Sequence, residues 1–101
     1  MNIKFRAVNY SAHDDLIDFT NKRVGKIGNF YNRMIGIEVT IKLTNSSDPV
    51  NKVAELRCLI PGDDVIVRKK GKSFQEAIAN ASNAAERTLK KRKSQISNRA
   101  T

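Results

Sequence analysis

Residues 87–93 read Arg-Thr-Leu-Lys-Lys-Arg-Lys, and five of these seven carry positive charge. No Asp or Glu follows Glu86. The chemistry open to such a run is ionic: it can neutralise phosphates along a nucleic-acid backbone and release their condensed counterions. Cations also suit the C-terminal end of a helix dipole, but five are more than a dipole needs. On a helix, Arg87, Lys91 and Ser94 fall on one line, with Lys90 and Lys93 beside it. A second patch, Arg68-Lys69-Lys70 with Lys72, precedes the same helix, and Lys22, Arg23 and Lys26 form a third. Long flexible Lys and forked Arg are suited to phosphate contacts.

Bond-making chemistry finds little support. His13 is the only histidine, and beside Asp14 and Asp15 it reads as a solvent-facing residue at a helix start. Asp63-Asp64 follows Pro61-Gly62 and reads as a turn. There is no Gly-rich phosphate loop between a strand and a helix, and no Ser/His/Asp set. Phe30 and Tyr31 could stack on a base, but core or helix-end packing suits them better, and the chain has few aromatics for a stacking platform. The single cysteine, Cys58, excludes an internal disulfide and a cysteine-based zinc site, and reads as a small buried hydrophobe. The expectation is a protein that is not an enzyme and holds no metal or cofactor.

Charge is unevenly placed. Residues 1–67 hold nine Lys/Arg against eight Asp/Glu, and residues 68–101 hold ten against two. The formal charge of +9 and the pI near 10.1 therefore arise almost wholly in the last third. That favours a polyanionic partner: RNA, DNA or an anionic membrane surface. No apolar run approaches 18 residues and no signal-peptide core is present, so a soluble cytoplasmic protein is expected.

The elements that must position these charges can be read from periodicity. The 101 residues suffice for one domain, 1–101, with one modest core. Residues 2–8 alternate, with Ile3, Phe5 and Ala7 inward. Ser11, three residues before Asp14, reads as the cap of a first helix whose buried stripe is Leu16, Phe19, Val24, Ile27 and Tyr31. Gly25 and Gly28 cost that helix about 1 kcal/mol each against Ala, so its last turns should be the weaker ones. Residues 34–44 predict a strand with Ile35, Ile37, Val39, Ile41 and Leu43 inward. Residues 45–49 are a loop by composition. Residues 52–60 turn Ala54, Leu56, Cys58 and Ile60 inward; residues 65–70 turn Val65 and Val67 inward and Ile66, Arg68 and Lys70 outward. Short connections join these three strands as an antiparallel meander. Ser73-Phe74-Gln75-Glu76 is a capping box opening a second helix to about residue 97, with Phe74, Ile78, Ala81, Ala85, Leu89 and Ile96 on its apolar face and fraying over 98–101. The fold class is α+β, in the order β-α-β-β-β-α, with a four-stranded sheet and both helices on one face. The other face stays open and carries Lys4, Arg6, Lys42, Arg57, Arg68 and Lys70.

With these elements in place, the chain resembles the short-form ribosome hibernation-promoting factor and ribosome-associated inhibitor family, also labelled sigma-54 modulation proteins. The resemblance spans almost the whole chain. It is carried by Leu16-x-x-Phe19, Lys26-Ile27, Phe30-Tyr31-Asn32-Arg33, the Ile37–Leu43 alternation, Ala54-Glu55-Leu56 through Ile60-Pro61-Gly62, Ser73-Phe74-x-x-Ala77-Ile78 and Arg87-x-Leu89-x-Lys91-x-Lys93. It implies a fold like that of double-stranded-RNA-binding domains. It also implies binding to the small ribosomal subunit (16S rRNA and neighbouring proteins) in the mRNA/tRNA channel. Translation would stop by steric occlusion, as a stationary-phase stress response. Arg23, Lys26, Arg87, Lys91 and Lys93 match the family's basic positions best. Lys90 and Arg92 match less closely, and Arg68 and Lys70 extend the candidate RNA surface. The family commonly has acidic residues where this chain has Arg68-Lys69-Lys70-Gly71-Lys72. No C-terminal dimerisation domain is expected, so ribosome pairing would need a second factor. The alternative reading is a generic basic RNA- or DNA-binding module, or a regulator docking on an acidic partner.

Overall fold

The computed structural model describes residues 2–29, 31–44 and 47–100, with side chains within the last helix as far as Lys93. Its elements are β1 (Asn2–Val8), α1 (Asp14–Gly25), a 3-10 turn (Lys26–Asn29), β2 (Gly36–Leu43), β3 (Lys52–Leu59), β4 (Val65–Gly71) and α2 (Phe74–Ala100). Phe30, Asn45, Ser46 and Thr101, and the side chains of Ser94 and Ile96, lie outside the described residues.

The four strands form one mixed sheet in the order β1-β2-β3-β4. β1 runs parallel to β2, pairing Asn2 with Gly36 and Phe5 with Val39. β2–β3 and β3–β4 are antiparallel, which short loops permit; the parallel pair requires a crossover, and α1 supplies it. Strand alternation gives the sheet two chemically different faces. Ile37, Val39 and Ile41 of β2 and Ala54, Leu56 and Cys58 of β3 are buried on one of them, under both helices.

α2 packs there through Phe74, Ala77, Ile78, Ala81, Ala85 and Leu89, all buried. The alanines let the helix lie close to the strands, while Ile78 and Leu89 supply apolar bulk. Each such large side chain contributes roughly 1.5–3 kcal/mol on burial. The Ser73 hydroxyl accepts a hydrogen bond from the Glu76 amide at 3.1 Å, so the cap read from the sequence fixes the start of α2. Gly71 closes β4 directly against this turn. A Cβ there would lie 2.7 Å from the Ala77 nitrogen.

Three local expectations are corrected. Ser11 does not cap α1. The helix begins after His13, whose carbonyl accepts from the Leu16 and Ile17 amides, and Asp14 and Asp15 fill the first turn where the dipole favours acids. Ile35 is 63% exposed rather than inward. β2 begins at Gly36, two residues after the expected start, and Met34, bonded back to the Tyr31 carbonyl in a turn, enters the core instead. The second helix continues to Ala100, past the expected stop near residue 97.

Candidate nucleic-acid interface

The rotation of α2 is fixed by Leu89, which is fully buried. At about 100° per residue, Arg87, Lys90 and Lys91 must then point away from the sheet, and all three are exposed. Arg92 lies about 60° from Leu89, on the sheet side of the helix. Its guanidinium donates to the Asp63 carbonyl oxygen at 2.8 Å, tying α2 to the β3–β4 turn. Arg92, one of the nine candidate RNA-binding residues, is therefore turned toward the fold and set apart from the exposed cations of the run. Lys93 also falls near the Leu89 side, yet it is exposed. The reason is length: α2 runs back along β4, passes the turn at Asp63 and continues beyond the end of the sheet.

Arg23 crosses from α1 to α2. Its Nη1 lies 2.7 Å from Glu86 Oε1, and its Nη2 donates to Asn83 Oδ1 at 2.5 Å. Both partners of the ion pair are mostly buried, at 19% and 18% exposure. Lys26, at the start of the 3-10 turn, shares a shallow groove with Arg23, Asn29 and Glu86. Arg23 and Lys26 therefore belong to the same helical layer as Arg87, Lys90 and Lys91, but Glu86 offsets the charge of Arg23.

The β4 cations do not join that layer as a block. Arg68 and Lys70 lie on the open face, in register with Glu55 and Val53. Lys69 takes the other phase and borders a depression with Asn80, Asn83 and Arg87. Asn80 holds this corner by donating to the Lys70 carbonyl at 3.3 Å. The nine candidate residues thus fall into three settings: the helical layer, the Arg92 tie and the open sheet face. Lys69 was missed as a member of the helical patch. The signal was available, since residues 65, 67 and 69 share one strand phase.

His13 is exposed at the start of α1. Among the described residues, no three His, Cys, Asp or Glu side chains converge as a metal site requires. Cys58 is fully buried; burial first, and the Asp64 carboxylate second, push its thiol from 9.0 up to about 11. A thiol so protonated is not a nucleophile at neutral pH. Among the described residues, no helix is long and apolar enough to cross a membrane.

A mixed sheet in the order β-α-β-β-β-α, both helices on one face and a cationic α2 together describe a small basic α+β domain. The model of the sigma 54 modulation protein / S30EA ribosomal protein family matches residues 3–97, and the chain belongs to that family of ribosome-associated modulation and hibernation factors. Among solved structures, the protein Y N-terminal domain of Thermus thermophilus superposes with a TM-score of 0.77 at 23% identity, covering 90% of this chain and 98% of that one. A ribosomal subunit interface protein from Coxiella burnetii superposes with a TM-score of 0.81 at 15% identity, covering 93% of this chain and 99% of that one. At these identities the two neighbours show the fold alone. No curated protein matches the sequence.

Proposed function

We propose that this protein is a ribosome hibernation factor that binds the small ribosomal subunit in the mRNA/tRNA channel and blocks translation by occupying that space. The observation that carries the reading is the rigid cationic ridge of α2. Buried Leu89 and the Arg92–Asp63 tie set its rotation, so the backbone presents Arg87, Lys90 and Lys91 together and only their side chains pay an ordering cost at binding. Lys93 extends the ridge, and Lys26 and the partly neutralised Arg23 flank it. Family membership supplies the ribosome as the polyanion. No bond is made or broken in this mechanism. In this reading the protein acts in the cytoplasm during stationary phase.

The test is sedimentation of the protein with separated small and large subunits at physiological salt, with excess tRNA as competitor. Stoichiometric migration with the small subunit alone, resistant to tRNA, is expected. The combined substitutions Arg87→Glu, Lys91→Glu and Lys93→Glu should abolish it. Equal, competable binding to both subunits would instead make the protein a generic basic RNA binder.

A further inference from the structure

The open face of the sheet carries a charge pattern that the helical ridge does not explain. Register places Lys4, Glu38 and Arg57 in one row across β1, β2 and β3. The next row is Arg6, Thr40, Glu55 and Arg68. The outer strands are therefore cationic: Lys4 and Arg6 on β1, Arg68 and Lys70 on β4. All four are exposed, and none has an ion-pair partner among the described residues. The inner strands are neutral overall on this face, where Glu38 and Glu55 offset Lys42 and Arg57, and Arg57 Nε lies 4.0 Å from Glu38 and 2.9 Å from Asp64 of the β3–β4 turn. The result is two cationic rails at the sheet edges with carboxylates between them. Three strand spacings put the rails about 14 Å apart at the backbone.

We infer that this face is a second RNA surface, and that it straddles the minor groove of an A-form duplex. A single strand laid along one rail leaves the other unused, and one laid along the middle meets Glu38 and Glu55. An A-form duplex offers two phosphate backbones flanking a wide, shallow minor groove that displays 2′-hydroxyls. The phosphates meet the rails, while Glu38, Thr40 and Glu55 accept from hydroxyl and guanine amino donors between them. B-form DNA lacks the 2′-hydroxyl and has a narrower minor groove, so it fits less well. The inference shares with the proposed function only the premise that the partner is RNA, and it uses the opposite face of the molecule.

The test measures binding of the full chain to a fluorescent RNA duplex, the same sequence as single strand, and the matching DNA duplex. The Arg87→Gln/Lys91→Gln background weakens the helical ridge. Lys4→Gln/Arg6→Gln and Arg68→Gln/Lys70→Gln are added separately, each protein being checked by its thermal melt. Duplex RNA is expected to bind most tightly, and each rail pair to cost on the order of tenfold, with the salt slope shallower by about 2 per pair. Glu38→Gln/Glu55→Gln should erase part of the preference for duplex over single strand. Three results would overturn the inference: loss of duplex binding in the ridge background alone, dependence on only one rail, or equal affinity for single strand. Subunit sedimentation of the unmutated protein is read separately. If it fails while duplex binding still needs both rails, the ribosomal reading falls and this one stands.

Discussion

Arg23 and Glu86 clamp the two helices together: their 2.7 Å ion pair joins α1 to α2 beside the cationic ridge, and Asn83 holds the second guanidinium nitrogen. One carboxylate therefore does two opposing things, bracing the fold and subtracting charge from the surface proposed to bind RNA.

Glu86→Gln should separate these effects. The variant is expected to lose roughly 1 kcal/mol of stability, since the pair is only partly screened, and to bind RNA several-fold more tightly at low salt. Chemical denaturation and a binding titration on the same sample check both. Unchanged affinity would show that Arg23 and Glu86 lie outside the contact surface.

Neighbouring cations on α2 should behave differently. Arg92→Gln removes the bond to the Asp63 carbonyl, so it should lower stability slightly, by up to about 1 kcal/mol, and the melt with it. Lys91→Gln should leave the melt alone, weaken subunit binding and reduce the salt slope by about 1. Matching melts for the two variants would contradict the geometry.

Gly71 is expected to tolerate no side chain. In Gly71→Ala the new Cβ meets the Ala77 nitrogen at 2.7 Å, and backbone cannot step aside as a flexible side chain would. A loss of about 2 kcal/mol, near 10 °C in melting temperature, should follow.

Ser82 makes the opposite prediction. Its hydroxyl is buried with no hydrogen-bond partner among the described residues. Ser82→Ala removes the orphan and improves helix propensity, so stability should rise by about 0.5–1 kcal/mol in a thermal or urea melt.

The raised thiol of Cys58 sets an alkaline limit. In the unfolded chain it ionises near 9.0, but in the folded protein only near 11. Between those values the folded state binds the extra proton, so stability falls as pH rises through the window and is unaffected by this group below it. Urea midpoints at pH 8 and pH 10.5 should diverge more in the native protein than in Cys58→Ala, once each is referenced to its own pH 8 value. A parallel pH profile for the two proteins would refute the assignment.

Local signals in the sequence were enough for much of this architecture. The Ser73–Glu76 spacing located the start of α2 because both partners lie within one turn. Strand alternation separated Leu56 and Cys58 from Glu55 and Arg57 for the same reason. The misread positions turn on competition between neighbours. Ser11 had the right chemistry for a cap, but Asp14 and Asp15 let the helix start two residues later. Ile35 and Met34 are both apolar, and only the turn at Tyr31 decides which one is buried. The division of the basic residues between two faces depended on treating Lys69 separately from Arg68 and Lys70. The Arg92–Asp63 and Arg23–Glu86 contacts span long stretches of chain, which no local pattern encodes.

The parallel seam between β1 and β2 orders events in time. Asn2 can find its place only when Gly36 is present, after α1 has formed the return path. The hairpins β2–β3 and β3–β4, by contrast, close over short loops, and α2 packs back on the strand that precedes it. Loop closure over a longer stretch is slower. When the whole chain refolds, the N-terminal strand is therefore expected to dock last, and its backbone amides should gain protection from exchange after those of β3 and β4.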